Sequence, residues 1–152
     1  MDSVELLKTL SDAFGPSGFE DEVCETLQRL IDPYVDEMRV DTLGNLIAIR
    51  RGSGDTTLML DAHMDEIGFI VTYVEDGGFL RFAQTSGWDP RIVPAHAVTI
   101  RSDHGTKIKG YIGMPPPHIL RPEDREKPYK LEDLFIDIGA TSAEEVPRLG
   151  IR

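Results

Sequence analysis

The stretch Ala62-His63-Met64-Asp65-Glu66 carries the densest potential chemistry in this 152-residue chain. An imidazole is a good ligand for zinc or cobalt. A carboxylate two residues further on shares its side of an extended backbone. From there Asp65 could fix the tautomer of His63 and raise its strength as a ligand. The apolar run Thr57-Leu58-Met59-Leu60-Asp61 predicts a buried strand just upstream. The pair would then lie past the C-terminal end of that strand, where open α/β sheets place their ligand sites. His-x-Asp is a short pattern, however. On spacing alone it more often marks a hydrogen-bonded histidine at a strand end, with solvated acids beside it.

Other reactive residue types are less well placed. His104 sits in an Asp-His-Gly turn, His96 between two alanines at a strand start, and His118 after three prolines. None has a second histidine four residues away, so no helical zinc motif is present. Cys24 has no adjacent His or Lys and reads as a small, partly buried hydrophobe. There is no G-x-S-x-G elbow, and Ser17, three residues before Glu20, reads as a helix cap. The glycine clusters do not follow a strand in G-x-G-x-x-G order, which argues against nucleotide binding. Glu123-Asp124-Arg125-Glu126-Lys127 reads as a solvated charge cluster. Trp88, the single tryptophan, reads as the anchor of a small core or an interface.

The elements that must position these residues follow from periodicity. Leu6, Leu7, Leu10, Ala13 and Phe14 predict a helix over 3–14, with Asp2 and Glu5 in a capping arrangement. Gly15-Pro16-Ser17-Gly18 breaks it, and Ser17-x-x-Glu20 predicts a second helix that Pro33 stops. The period then changes, predicting strands over 35–41, 46–50 and 57–61. Two hairpins are predicted, 67–74 with 79–84 and 97–101 with 107–112, turning at Asp76-Gly77-Gly78 and Asp103-His104-Gly105. A proline-marked connection runs from Pro115 to about Lys130. A last strand over 134–138 and a short helix ended by Gly150 complete the pattern. The organisation shifts near residue 68, from a helix-helix-strand unit to a segment of short strands.

Composition bounds the function. Apolar residues make up 40% of the chain, enough for a buried core. Sixteen Lys and Arg against 27 Asp and Glu give a formal net charge of -11. That disfavours sequence-independent nucleic-acid binding and adhesion to an anionic membrane. No apolar stretch approaches the roughly 20 residues a membrane helix needs. With one cysteine and no signal-peptide pattern at the start, a cytoplasmic location is expected.

The ordered motifs then acquire a family likeness. Gly15-Pro16-Ser17-Gly18, Asp41-Thr42-Leu43-Gly44-Asn45-Leu46 and Ala62-His63-Met64-Asp65-Glu66-Ile67-Gly68-Phe69 are followed by Gly87-Trp88-Asp89-Pro90-Arg91 and Gly110-Tyr111-Ile112-Gly113. Pro116-Pro117-His118 and Leu134-Phe135-Ile136-Asp137-Ile138-Gly139-Ala140 come next. The whole chain resembles the glutamyl aminopeptidase or tetrahedral aminopeptidase family of dinuclear metallopeptidases, some of which carry an endoglucanase label. The resemblance implies an α/β fold: the start of an α/β/α catalytic domain over 1–68, followed over 69–152 by an inserted β-rich, PDZ-like dimerisation domain, with room at its end for a return toward the catalytic domain. It implies His63 as the first metal-ligating histidine and Asp65 as the catalytic-site carboxylate that orients it. It also implies removal of N-terminal residues from peptides with two divalent ions, zinc or cobalt, and homo-oligomers built from dimers, up to a twelve-subunit shell.

The same resemblance marks what this segment lacks. The family's bridging aspartate, its Glu-Glu pair, its further carboxylate ligand and its C-terminal histidine fall beyond these residues. Nothing in the pattern promotes Asp61 or Glu66 to replace them. Pro94-Ala95-His96-Ala97 stands where family members usually have a glycine followed by polar residues. Two expectations follow. One is an aminopeptidase subunit portion that is inactive alone; the other is a non-catalytic oligomerisation module derived from such a peptidase. Uncovered apolar helix faces and strand edges predict association in either case.

Overall fold

The computed structural model describes residues 2–124 and 127–152; Arg125 and Glu126 of the predicted charge cluster lie outside them. The fold is mixed α/β and divides into two compact units, Met1–Ile67 and Gly68–Arg152.

The first unit opens with α1 (Ser3–Asp12). The Asp2 side chain accepts from the Glu5 backbone N–H at 2.8 Å, satisfying one of the first-turn donors. The helix stops two residues earlier than its apolar pattern, because Ala13 is already extended ahead of Gly15-Pro16. Next comes α2 (Asp21–Ile31), followed by a 3-10 turn over Asp32–Tyr34 that contains Pro33. Glu20, not Ser17, is the N-cap of α2, and its side chain makes no cap bond to the helix. Its carboxylate instead accepts from the Gly18 N–H at 2.6 Å.

Two strands, β1 (Glu37–Val40) and β2 (Leu46–Ile49), form an antiparallel hairpin. Its turn is set by Asp41, whose carboxylate accepts from the Leu43 and Asn45 N–H groups at 2.9 and 3.0 Å and from the Asn45 amide at 2.9 Å. Those bonds hold the Asp41 carboxyl below the usual carboxylate range, the Asn45 side chain contributing most.

The predicted strand over 57–61 does not form. This segment pairs with no other among the described residues, and Leu58, Met59 and Leu60 are 82%, 82% and 88% exposed. An apolar run buried on both faces needs strands beside it and layers above and below. Among the described residues β1 and β2 form a sheet of two strands.

The second unit is a five-stranded antiparallel sheet. Its strands are β3 (Phe69–Val74), β4 (Leu80–Gln84), β5 (Ala97–Arg101), β6 (Lys107–Gly113) and β7 (Phe135–Asp137), in the order β3-β4-β7-β6-β5. The inward positions of β4, β5, β6 and β7 supply Leu80, Phe82, Ile100, Ile112 and Ile136. Val93, Leu134, Val146 and Ile151 close over them. Arg81 fastens the connection to β7, donating to the carbonyls of Glu132 and Leu134 at 2.9 and 3.0 Å and to Glu75 Oε1 at 2.6 Å. Trp88 stacks on Phe69 with ring centroids 5.1 Å apart, so it belongs to the packing of this unit. In place of the predicted short terminal helix there is a 3-10 turn, Val146–Leu149, which Gly150 ends at φ 75°.

Candidate functional site

The loop holding His63 and Asp65 is built against the break between the two helices. Pro16 and Glu66 form a parallel bridge. The Glu66 N–H donates to the Gly15 carbonyl at 2.8 Å, and the Gly15 N–H donates to Glu66 Oε1 at 3.0 Å. Gly15 is required here for a steric reason. A Cβ at this position would stand 2.4 Å from Val23 Cγ2 on α2, inside any permitted contact. Gly18, at φ 87°, then redirects the chain into α2.

On this frame the predicted pair comes together. His63 Nδ1 lies 2.9 Å from Asp65 Oδ1 and 3.0 Å from the Asp65 carbonyl oxygen. Both neighbours are acceptors only, so Nδ1 carries the proton and donates. Nε2 is thereby the nitrogen left to meet a ligand, on a side chain that is 85% exposed. The other carboxylate oxygen, Asp65 Oδ2, accepts a hydrogen bond from the Ser17 hydroxyl. These bonds hold the Asp65 carboxyl below its usual range, Ser17 contributing most and His63 next.

Ser17 is the residue that sequence reasoning misplaced. S-x-x-E spacing reads locally as a cap, whereas the hydroxyl is spent on a carboxylate 48 residues away. Glu66 is likewise committed, through Oε1, to the backbone of Gly15. The remaining histidines belong to the second unit: His96 Nδ1 lies 3.4 Å from the Pro94 carbonyl oxygen, and His96, His104 and His118 are all exposed. The Cys24 thiol is pushed up by burial and by Asp21 and Glu25, which suits a packed side chain and not a nucleophile.

Comparison with known proteins gives this geometry its context. The M42 glutamyl aminopeptidase profile matches residues 44–152. The chain belongs to that family. It is 41% identical to the FrvX protein of Escherichia coli (strain K12) over 149 residues, which is 98% of this chain and 42% of that one. It is 32% identical to the lysyl aminopeptidase of Pyrococcus furiosus, covering 97% of this chain and 43% of the relative. Among solved structures, the TET aminopeptidase from the marine sediment archaeon Thaumarchaeota archaeon SCGC AB-539-E09 superposes with a TM-score of 0.92. The two share 42% identity over 99% of this chain and 42% of that one. The chain thus spans about two fifths of the length of the relatives it matches.

M42 aminopeptidases are metallopeptidases, so the donor set can be tested against a metal site. His63 suits one ligand position. Both Asp65 oxygens and one Glu66 oxygen are already engaged. Among the described residues no group of three or more His, Cys, Asp or Glu side chains could hold a metal ion. These residues therefore do not amount to a site for two ions, which needs several ligands for each.

Proposed function

We propose that this chain is the N-terminal portion of a metal-dependent aminopeptidase subunit that removes N-terminal residues from peptides. In this reading residues 1–68 belong to the catalytic domain and 69–152 form an inserted, PDZ-like dimerisation domain. His63 supplies one ligand to a pair of divalent ions, zinc or cobalt, and Asp65 orients its ring. The observation that carries the reading is the presentation of His63, with its proton held on Nδ1 by Asp65 and Nε2 turned outward, in a chain of the M42 family.

Homo-oligomerisation is part of the proposal. The Pyrococcus horikoshii TET1 peptidase, which can assemble into a tetrahedron or a large octahedral shell, superposes with a TM-score of 0.85 at 37% identity over 97% of this chain and 44% of its own. No helix among the described residues is long and apolar enough to cross a membrane. We place the subunit in the cytoplasm.

Because the described residues gather no three-ligand group, the purified chain is expected to be inactive alone. The test is an assay of the zinc- or cobalt-loaded chain against a panel of aminoacyl chromogenic substrates, with chelated and His63→Ala controls. No turnover above the controls is expected. Metal-dependent turnover that His63→Ala abolishes would overturn the ligand accounting.

A further inference from the structure

We propose that Ser17 is a positioning residue for His63: its hydroxyl fixes the Asp65 carboxylate, which in turn fixes the tautomer and direction of the imidazole. The inference deepens the aminopeptidase reading above and rests on it for its functional meaning.

Four observations carry it. First, the chain of contacts is continuous. Ser17 Oγ donates to Asp65 Oδ2, and His63 Nδ1 donates to Asp65 Oδ1 at 2.9 Å, so each carboxylate oxygen has its own donor. A carboxylate held at one oxygen only can turn about its side-chain torsions; held at both, it offers the ring one direction. Second, Ser17 is placed by a rigid frame. The Pro16–Glu66 bridge, the Glu66 N–H to Gly15 carbonyl bond and the Gly15 N–H to Glu66 Oε1 bond tie the two loops together directly before it. The Phe19 N–H also closes onto the Pro16 carbonyl at 2.8 Å, which sets the turn that aims Ser17.

Third, Ser17 is not at the cap position its spacing would give it. Glu20 stands at the N-cap of α2, and the Ser17 hydroxyl bonds Asp65. Fourth, His63 gets little help from packing. Its side chain is 85% exposed, against 35% for Asp65. The ring is therefore steered by hydrogen bonds, and the Asp65 carboxylate is the group that steers it.

The experiment reads the ring directly, in the metal-free chain, so that it does not depend on turnover. Long-range 1H–15N correlation spectra of the imidazoles, in buffer well above the ordinary histidine range, report which nitrogen carries the proton; His63→Gln assigns the signals. The wild-type chain is expected to show His63 as the Nδ1–H form. Ser17→Ala is expected to shift it toward the Nε2–H form that an unrestrained imidazole favours in water. Ser17→Thr and Ser17→Val, nearly equal in size, isolate the hydroxyl: the first keeps the Nδ1–H form and the second loses it. Backbone amide spectra show whether the Gly15–Glu66 frame persists in each variant.

A wild-type ring in the Nε2–H form would overturn the proposal. So would a Ser17→Ala or Ser17→Val chain that keeps the frame and an unchanged Nδ1–H ring. An unchanged ring in the Ser17 variants leaves the aminopeptidase reading standing, because that reading rests on His63, Asp65 and the family match and not on Ser17; a wild-type Nε2–H ring would also remove the presentation of His63 that supports it.

Discussion

Ala95 is the only non-glycine residue in the left-handed region among the described residues, at φ 65°. It cannot relax out of that conformation cheaply. Its N–H donates to the Ile112 carbonyl at 2.8 Å, and the Ile112 N–H returns to the His96 carbonyl at 2.9 Å, stitching the segment before β5 onto β6. An L-residue held there costs about 1–2 kcal/mol. Replacing alanine by glycine removes that strain but adds about 0.4–1 kcal/mol of unfolded-chain freedom. The methyl is exposed, so no burial is lost. At the centre of these ranges Ala95→Gly should therefore stabilise the second unit by about 0.8 kcal/mol, equivalent to roughly 3–6 °C in melting temperature for a domain of this size. Trp88, the single tryptophan, lies in the same unit and stacks on Phe69, so its fluorescence reports the transition in urea or on heating. Ala95→Val should move the midpoint the other way, since a β-branched residue at positive φ is a steric outlier. An unchanged or lowered midpoint for Ala95→Gly would refute the strain assignment.

Three further outcomes are expected. Gly15→Ala drives a methyl into Val23 Cγ2 and should cost about 1–3 kcal/mol, read by circular dichroism of the helices, which both lie in the first unit. Leu134→Ala empties a position that is 1% exposed and should cost about 2–5 kcal/mol in urea unfolding followed at Trp88; a loss under 1 kcal/mol would mean that the core closes around the gap. The Arg91 guanidinium holds the Asp89 carboxyl down at about 2. The unfolded chain therefore takes up this proton first on acidification, and the pair's contribution is complete above about pH 4 and lost as pH falls toward 2. Asp89→Asn should flatten the fall in stability across that window and leave the neutral-pH slope unchanged.

Local pattern and turn chemistry carry much of this fold. The alternation in Ala97–Arg101 places β5 to the residue, and the glycines at 78 and 105 mark hairpin turns because each adopts positive φ, 85° and 76°. Gly150 ends the last 3-10 turn for the same reason. Legibility fails where a residue's partner is distant. Thr57–Asp61 has the composition of a buried strand, but a strand is defined by neighbours, and this run has none among the described residues. At the site, His63 and Asp65 can be paired from their spacing because residues two apart share a side of extended backbone. Ser17 could not be joined to them, since its hydroxyl bonds a residue 48 positions away while its local spacing imitates a cap. Gly15 gives the one sequence signal of that junction: a glycine directly before proline where two loops and a helix meet.

The most direct measurement joins this chain to the part of a relative that it does not cover. It would replace the matched 43% of the Pyrococcus furiosus lysyl aminopeptidase with these 152 residues, and aminoacyl-substrate turnover would be measured with and without zinc or cobalt. The account predicts metal-dependent turnover in the chimera that His63→Ala removes while assembly persists. A folded, assembled chimera that is equally active with His63→Ala, or inactive with every ligand of the host enzyme intact, would contradict it and favour a non-catalytic oligomerisation module.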